Sequence, residues 1–230
     1  GVLEGSARMR AVVGAGLAAG KLICGHGRGL GGADLAAFAA AGIGSDHEIT
    51  SGDDLLAKLR AGFTIELRGS HDYVLPGVVT ALATLPRLPP TLTLCTDDIF
   101  PDDLAAAGGM NDVLRRLVGY GMAPLDALRC ATLQAALRLK REDLGLLAPG
   151  RRADIVLFHD LTAFRARRVF ASGQEVAADG RLLAPARPGP VPPPGASVKV
   201  PPLTPADFRL TANGTRVDLR YGNRDELVLQ

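Results

Sequence analysis

The chain has 230 residues, 47% of them hydrophobic, so it is long enough to bury a substantial core. Its formal net charge is only +2 and the charges are interspersed, which argues against a protein that binds nucleic acid or a membrane surface. Cys24 and Cys95 fall in predicted buried strands and Cys130 in a predicted helix, so no disulfide framework is expected. Because the sequence has neither a run of about eighteen apolar residues nor a signal-peptide pattern, we expect a soluble cytoplasmic protein.

The first hundred residues alternate between short apolar runs and helical patterns. The apolar runs predict strands at residues 21–24, 42–45, 63–67 and 91–95. Helices are predicted at residues 6–19, from residue 32 onward, at 51–61 and through 78–85. Asp34 is a candidate N-cap of the second helix, and Thr50 or Ser51 of the third. This order predicts an α/β fold of consecutive βα units, with parallel strands and right-handed crossovers.

The pattern changes twice after residue 98. Three helices are predicted at residues 101–107, 111–120 and 124–139, and Asp102 and Asp103 belong to the start of the first. Beyond Gly145, a strand at 153–158 and a hairpin around Ser172 and Gly173 indicate a small β unit. We therefore divide the chain into βα units with their helices (1–144), a small β segment (145–184), a proline-rich linker (185–202), and the start of a further β-rich region (203–230) in which Val217, Leu219 and Tyr221 alternate.

Ionisable side chains follow three of the predicted strands. His26 follows the first strand, the run Asp-His-Glu at residues 46–48 follows the second, and Asp97 and Asp98 follow the fourth. Because the carboxyl ends of parallel strands open onto one face, these groups are expected to meet there. Imidazole and carboxylate are the usual protein ligands of zinc, iron and manganese, so the pattern predicts a metal site. Two alternatives stay open: His26 as a loop residue among glycines, and Asp98 as a helix cap.

A second polar group follows the third strand. Arg68, Ser70 and His71 would share the same face and could bind substrate, although a solvated loop explains them equally well. His159 and Asp160 lie in the later β unit and are taken as surface residues.

Three sequence runs together resemble the adenine deaminases of the amidohydrolase superfamily. They are Ser-Asp-His-Glu at residues 45–48, Cys-Thr-Asp-Asp at 95–98 followed by Pro-Asp-Asp-Leu at 101–104, and the run at 148–156 that includes Pro149, Gly150 and Asp154. The first two are the more specific to adenine deaminases, whereas the third is common to many amidohydrolases. The resemblance extends from residue 1 to about residue 183.

The resemblance implies the C-terminal half of a (β/α)8 TIM-type barrel, followed by part of a small β-sandwich domain. It implies a divalent metal, manganese or iron with zinc as a further option, and hydrolysis of adenine to hypoxanthine and ammonia in purine salvage. His26 and His47 then correspond to metal ligands, and Asp97 to both a ligand and the general base. Glu48 and Asp98 are candidates for holding the purine or moving a proton, together with Arg68, Ser70 and His71 as substrate-binding residues. The expected partners are the purine base and further copies of the chain.

The chain also departs from the family pattern. Members carry a His-x-His pair after the first barrel strand and a glutamate ligand after the fourth, and neither is present in these 230 residues. Phe100 stands where some members have histidine, and Cys24 where some have aspartate. We therefore expect a fragment that does not deaminate adenine alone. Two other functions stay open: an amidohydrolase acting on a cyclic amide or an N-acyl amino acid, and an inactive remnant that serves as an assembly module.

Overall fold

The structure, a computed structural model, describes residues 1–185, 189–190, 195 and 199–209. The chain divides into two units, Gly1–Ala186 and Arg187–Gln230. The described part of the second unit contains a short 3-10 helix, Pro205–Phe208, and the Asp207 carboxylate accepts hydrogen bonds from the N–H and hydroxyl of Thr204 at its start. The alternation predicted around Val217 lies outside the described residues, as does much of the predicted proline-rich linker.

Four parallel strands form the first sheet, in the order β1-β2-β3-β4. They are β1 (Cys24–Gly25), β2 (Ser45–Asp46), β3 (Thr64–Arg68) and β4 (Leu92–Cys95). The helices that alternate with them are α1 (Ala7–Ala18), α2 (Gly32–Ala40), α3 (Gly52–Arg60) and α4 (Leu75–Leu82). The predicted succession of βα units with parallel strands is confirmed.

The structure corrects several local predictions. The ladder begins only where Cys24 pairs with Ser45, so β1 starts later than predicted, and Leu22 and Cys24 are exposed rather than in a buried strand. Gly31, not Asp34, is the N-cap of α2, and Asp34 lies in the first turn. Ser51 caps α3 as predicted, because its hydroxyl oxygen accepts a hydrogen bond from the Asp54 N–H.

The two faces of β3 have different chemistry. Ile65 and Leu67 are buried in the main apolar cluster, together with residues from the faces of α2, α3 and α4 that are turned inward. Successive side chains of a strand alternate between its faces, so Glu66 and Arg68 lie on the opposite side. The sheet therefore has one apolar face covered by helices and one polar face that leads to the carboxyl ends of the strands.

Further helices follow β4: α5 (Pro101–Ala106), α6 (Met110–Gly119), α7 (Pro124–Arg129) and α8 (Ala135–Arg138). The helix predicted at 124–139 is interrupted by a π-helical segment, Cys130–Gln134, that joins α7 to α8. Gly145 packs against this segment so closely that a Cβ atom there would lie 2.7 Å from the carbonyl oxygen of Thr132. None of the helices within the described ranges is long and apolar enough to cross a membrane.

Arg138, at the end of α8, contacts all of the first three strands. Its Nε donates to Glu66 Oε1 of β3 at 2.9 Å, and one terminal nitrogen donates to Ser45 Oγ of β2 at 2.7 Å and to Cys24 Sγ of β1 at 3.3 Å. One side chain thereby links three strands at the polar face of the sheet.

The second sheet is an antiparallel arrangement of β5 (Ile155–Phe158), β6 (Ala166–Ala171), β7 (Gln174–Ala178) and β8 (Arg181–Leu182). The predicted hairpin is confirmed: Ser172 and Gly173 join β6 to β7 with φ angles of +49° and +82°, as a two-residue turn between twisted strands requires. Phe164 is fully buried in the main apolar cluster and makes an edge contact with Phe158. In the described part of the chain these four strands form one sheet, so a second layer of a sandwich stays a prediction.

Candidate active site

The ionisable residues predicted to meet do follow strands of one parallel sheet. His26 lies after β1, His47 and Glu48 after β2, Arg68 at the end of β3, and Asp97 after β4. The parallel register pairs Gly25 with Asp46 and Arg68 with Cys95, so the strand ends reach the same edge. The common edge predicted from the alternation of strands and helices is present.

His26, His47 and Glu48 come together as a group of three possible metal ligands. The two imidazole rings are nearly perpendicular with centroids 4.4 Å apart, and one ligand atom from each residue lies within 4.8 Å of the others. Glu48 Oε1 is 3.5 Å from His26 Nδ1 and 4.0 Å from His47 Nε2. Two imidazoles and a carboxylate fit zinc, iron or manganese, and the exposed His26 leaves the group open to solvent.

Arg68 connects the carboxylates of neighbouring strand ends. It is buried, and its two terminal nitrogens pair separately with Asp97 Oδ2 at 2.5 Å and Glu48 Oε2 at 3.1 Å. Asp98 Oδ2 lies farther away, at 4.0 Å, on an exposed side chain. Since both terminal nitrogens face carboxylates, Arg68 is the local counter-charge of Glu48 and Asp97, and its predicted contact with substrate stays a prediction.

Asp97 adopts an uncommon backbone conformation. Its φ angle is +55°, in the left-handed region that non-glycine residues rarely occupy, and such strain is typical of functional sites. Its carboxylate pairs with Arg68 and is not part of the three-residue group of His26, His47 and Glu48. The assignment of Asp97 as metal ligand and base therefore stays a prediction. Glu48, predicted to hold the purine or move a proton rather than to bind metal, is the third member of the group.

Ser70 and His71 lie beside Arg68. A terminal nitrogen of Arg68 is 3.0 Å from His71 Nδ1, and burial, followed by the Arg68 charge, lowers the pKa of the imidazole from its ordinary 6.5. His71 is therefore neutral at pH 7 and able both to donate and to accept a hydrogen bond. Ser70 Oγ is buried, and the described residues offer it no hydrogen-bond partner. A role of these two side chains in substrate binding stays a prediction.

Two residues near the site were missed by the sequence reasoning. Lys58 of α3 is fully buried beside Asp46, although the sequence pattern gave it no role. The available signal was its spacing of three residues from Leu55, which puts both side chains on one helical face. Arg28, on the loop after β1, lies 3.7 Å from Glu48 Oε2 and 3.5 Å from the Tyr73 hydroxyl.

Residues 6–176 of the chain match the model of the amidohydrolase family. Among curated relatives, the chain is 62% identical over 217 residues to "Adenine deaminase 2" of Rhizobium johnstonii and 55% identical over 217 residues to "Adenine deaminase" of Klebsiella pneumoniae. Both alignments cover 94% of this chain, and the chain spans 36% of the length of each relative.

Solved structures show the same fold at low sequence identity. The chain is similar to a crystal structure of an amidohydrolase, with a TM-score of 0.56 and 16% identity, covering 75% of this chain and 48% of that one. It is also similar to N-acetyl-D-glucosamine-6-phosphate deacetylase from Mycobacterium smegmatis, with a TM-score of 0.55 and 22% identity, covering 73% of this chain and 51% of that one. On the strength of the family match over most of its length, the chain belongs to the amidohydrolase family.

Proposed function

We propose that the protein containing this chain hydrolyses adenine to hypoxanthine and ammonia, as part of purine salvage. The observation that carries the proposal is the group of His26, His47 and Glu48 in a chain 62% identical to a relative called adenine deaminase. The four parallel βα units would be the C-terminal half of a (β/α)8 TIM-type barrel, and the second sheet part of a small β-sandwich. A chain that spans 36% of its relatives' length is compatible with half a barrel.

The site would hold a divalent cation, which we propose to be manganese or iron, with zinc as the alternative. His26 and His47 would bind it with their imidazoles, and a carboxylate from Asp97 or Glu48 would complete the contribution of this chain. A cation there supplies a Lewis acid that makes water nucleophilic near neutral pH. All three metals accept imidazole and carboxylate ligands.

The protein side chains would handle binding and proton transfer. As water adds to C6 of adenine, Asp97 would accept one of its protons and then deliver it to the exocyclic nitrogen, so that the C–N bond breaks and ammonia leaves. Arg68 would hold Asp97 and Glu48 in place through its two ion pairs. The neutral His71, Ser70 and the exposed Asp98 would bind the purine or exchange protons with it.

The test is product analysis on the protein expressed from its complete reading frame. With Mn²⁺ or Fe²⁺ added, we expect hypoxanthine and ammonia in a one-to-one ratio, and a loss of turnover in His47→Asn. A cyclic amide and an N-acyl amino acid should be assayed in parallel. Turnover of either of these but not of adenine, in the metal-loaded protein, would contradict the proposal. The 230-residue chain alone is predicted to be inactive towards adenine.

The cellular setting is also a proposal. We propose a cytoplasmic homo-oligomer, to be tested by cell fractionation and by light scattering on the purified protein. A monomer at micromolar concentration would contradict the second part.

A further inference from the structure

Lys58 places a buried positive charge directly beneath the loop that carries His47 and Glu48. Its Nζ lies 2.8 Å from Asp46 Oδ2 and 3.0 Å from Asp54 Oδ2, and it donates a hydrogen bond to the Glu48 carbonyl oxygen at 2.7 Å. The Lys58 side chain has no exposed surface, so a water molecule cannot easily replace these partners. The ammonium group is thus bound to the backbone of one possible metal ligand and to the carboxylate just before another.

Asp46 extends this contact to the loop that carries His26. While Asp46 Oδ2 faces Lys58, Asp46 Oδ1 accepts hydrogen bonds from the N–H of Glu48 at 3.0 Å and from the N–H of Gly27 at 3.1 Å. A Cβ atom on Gly27 would lie 2.8 Å from Asp46 Oδ2, so only glycine permits this approach without displacing the carboxylate. Asp46 therefore joins the residue after His26 to the residue after His47.

We propose that Lys58 and Asp46 are positioning residues that fix the two loops bearing His26, His47 and Glu48, and so set the affinity of this site for its metal. The inference rests on the proposed metal site but not on adenine as the substrate. Lys58 and Asp46 make three hydrogen bonds to backbone atoms of Glu48 and of Gly27, the residue after His26. A buried ion pair contributes little to stability compared with apolar side chains of the same size, so fold stability alone does not account for it.

The experiment compares Lys58→Met with Arg60→Met, which removes a positive charge from an exposed position on the same helix. The protein from the complete reading frame is stripped of metal, its thermal unfolding is recorded, and its Kd for Mn²⁺ is measured by competition with a chelator. We expect Lys58→Met to weaken Mn²⁺ binding by about 10- to 100-fold, the usual effect of losing a residue that orients metal ligands, and Arg60→Met to leave it unchanged. Asp54 keeps hydrogen bonds from Thr50 in both variants.

A double variant separates positioning from stability. Asp46→Asn combined with Lys58→Met removes both buried charges, so it should unfold at a temperature close to that of the parent protein, yet still bind Mn²⁺ about 10-fold or more weakly. Parental Mn²⁺ affinity in Lys58→Met or in the double variant would overturn the proposal, as would a double variant that does not fold. Because Mn²⁺ affinity is measured without substrate, a failure to deaminate adenine would count against the proposed function and not against this one.

Discussion

Substituting Arg68 with methionine should destabilise the fold more than any loss of an exposed ion pair. The change removes the shared cation of Glu48 and Asp97 while keeping much of the side-chain volume. Charged hydrogen bonds of this kind contribute about 1.5–3 kcal/mol each, so two of them give about 3–6 kcal/mol. Asp97 is 24% exposed and is partly solvated after the change, which brings the expected loss to about 3–4 kcal/mol.

The assay is equilibrium unfolding in urea, followed by circular dichroism at constant pH and salt. Arg28→Met is the matched control, because Arg28 also contacts Glu48 Oε2 but its side chain is 60% exposed. An exposed ion pair contributes about 0–1 kcal/mol, so the control should lose no more than that. Arg68→Lys should fall between the two, since a single ammonium cannot reproduce the forked contact with two carboxylates.

Equal losses in the free energy of unfolding for Arg68→Met and Arg28→Met would contradict this prediction. An Arg68→Lys variant as stable as the parent would also contradict it, because the charge alone, and not the two separate contacts of the guanidinium, would then hold the carboxylates.

Three further results are expected. Mn²⁺ at about 100 times its Kd should raise the free energy of unfolding of the parent protein by about 2.7 kcal/mol. At the same Mn²⁺ concentration, His47→Asn should lose most of that increase. An equal increase in the parent and in His47→Asn would contradict the proposed metal site. Burial alone would raise the pKa of the Asp46 carboxyl. The adjacent Lys58 ammonium group, together with hydrogen bonds from the backbone N–H groups of Glu48 and Gly27, outweighs burial and lowers the pKa below its ordinary 3.8. The Asp46 carboxylate therefore contributes to the free energy of unfolding above pH 3.8, and this contribution is lost as the pH falls through the lowered pKa of the folded protein. Asp46→Asn should flatten the acid side of a plot of the free energy of unfolding against pH. Burial raises the pKa of the Cys95 thiol to about 12, so at pH 8 roughly one molecule in ten thousand carries the Cys95 thiolate. Iodoacetamide should therefore label the exposed Cys24 at least about 100-fold faster than Cys95. Mass spectrometry of the labelled protein measures both rates.

The order of the strands and helices, and the sheet edge at which the site residues lie, could be predicted from the sequence. Regular alternation of apolar runs and helical patterns leaves few topologies other than parallel βα units, and His26 and His47 follow two strands of that arrangement. Strand lengths were predicted less well. β1 and β2 have two residues each, because a strand is assigned only where its residues pair with a neighbouring strand. The local sequence does not show where this pairing stops.

The electrostatic partners at the site could not be predicted. Lys58 stands four residues after Asp54, a spacing that in a sequence usually indicates an exposed helical ion pair. Its contact with Asp46 depends on how α3 packs against the end of β2, which is a tertiary property. For the same reason the sequence alone does not reveal that Arg68 pairs with two carboxylates from other strand ends.

The contacts of Arg138 with three strands have a consequence for the kinetics of folding. Arg138 lies 72 residues from Glu66, 93 from Ser45 and 114 from Cys24 along the chain, so each contact closes a long loop. We expect long-range contacts of this type to form late in folding, because the loop-closure entropy must be lost before they can stabilise the chain. Weakening them is therefore expected to accelerate unfolding while leaving the refolding rate nearly unchanged, so that Arg138 governs the lifetime of the folded sheet more than the speed of its assembly.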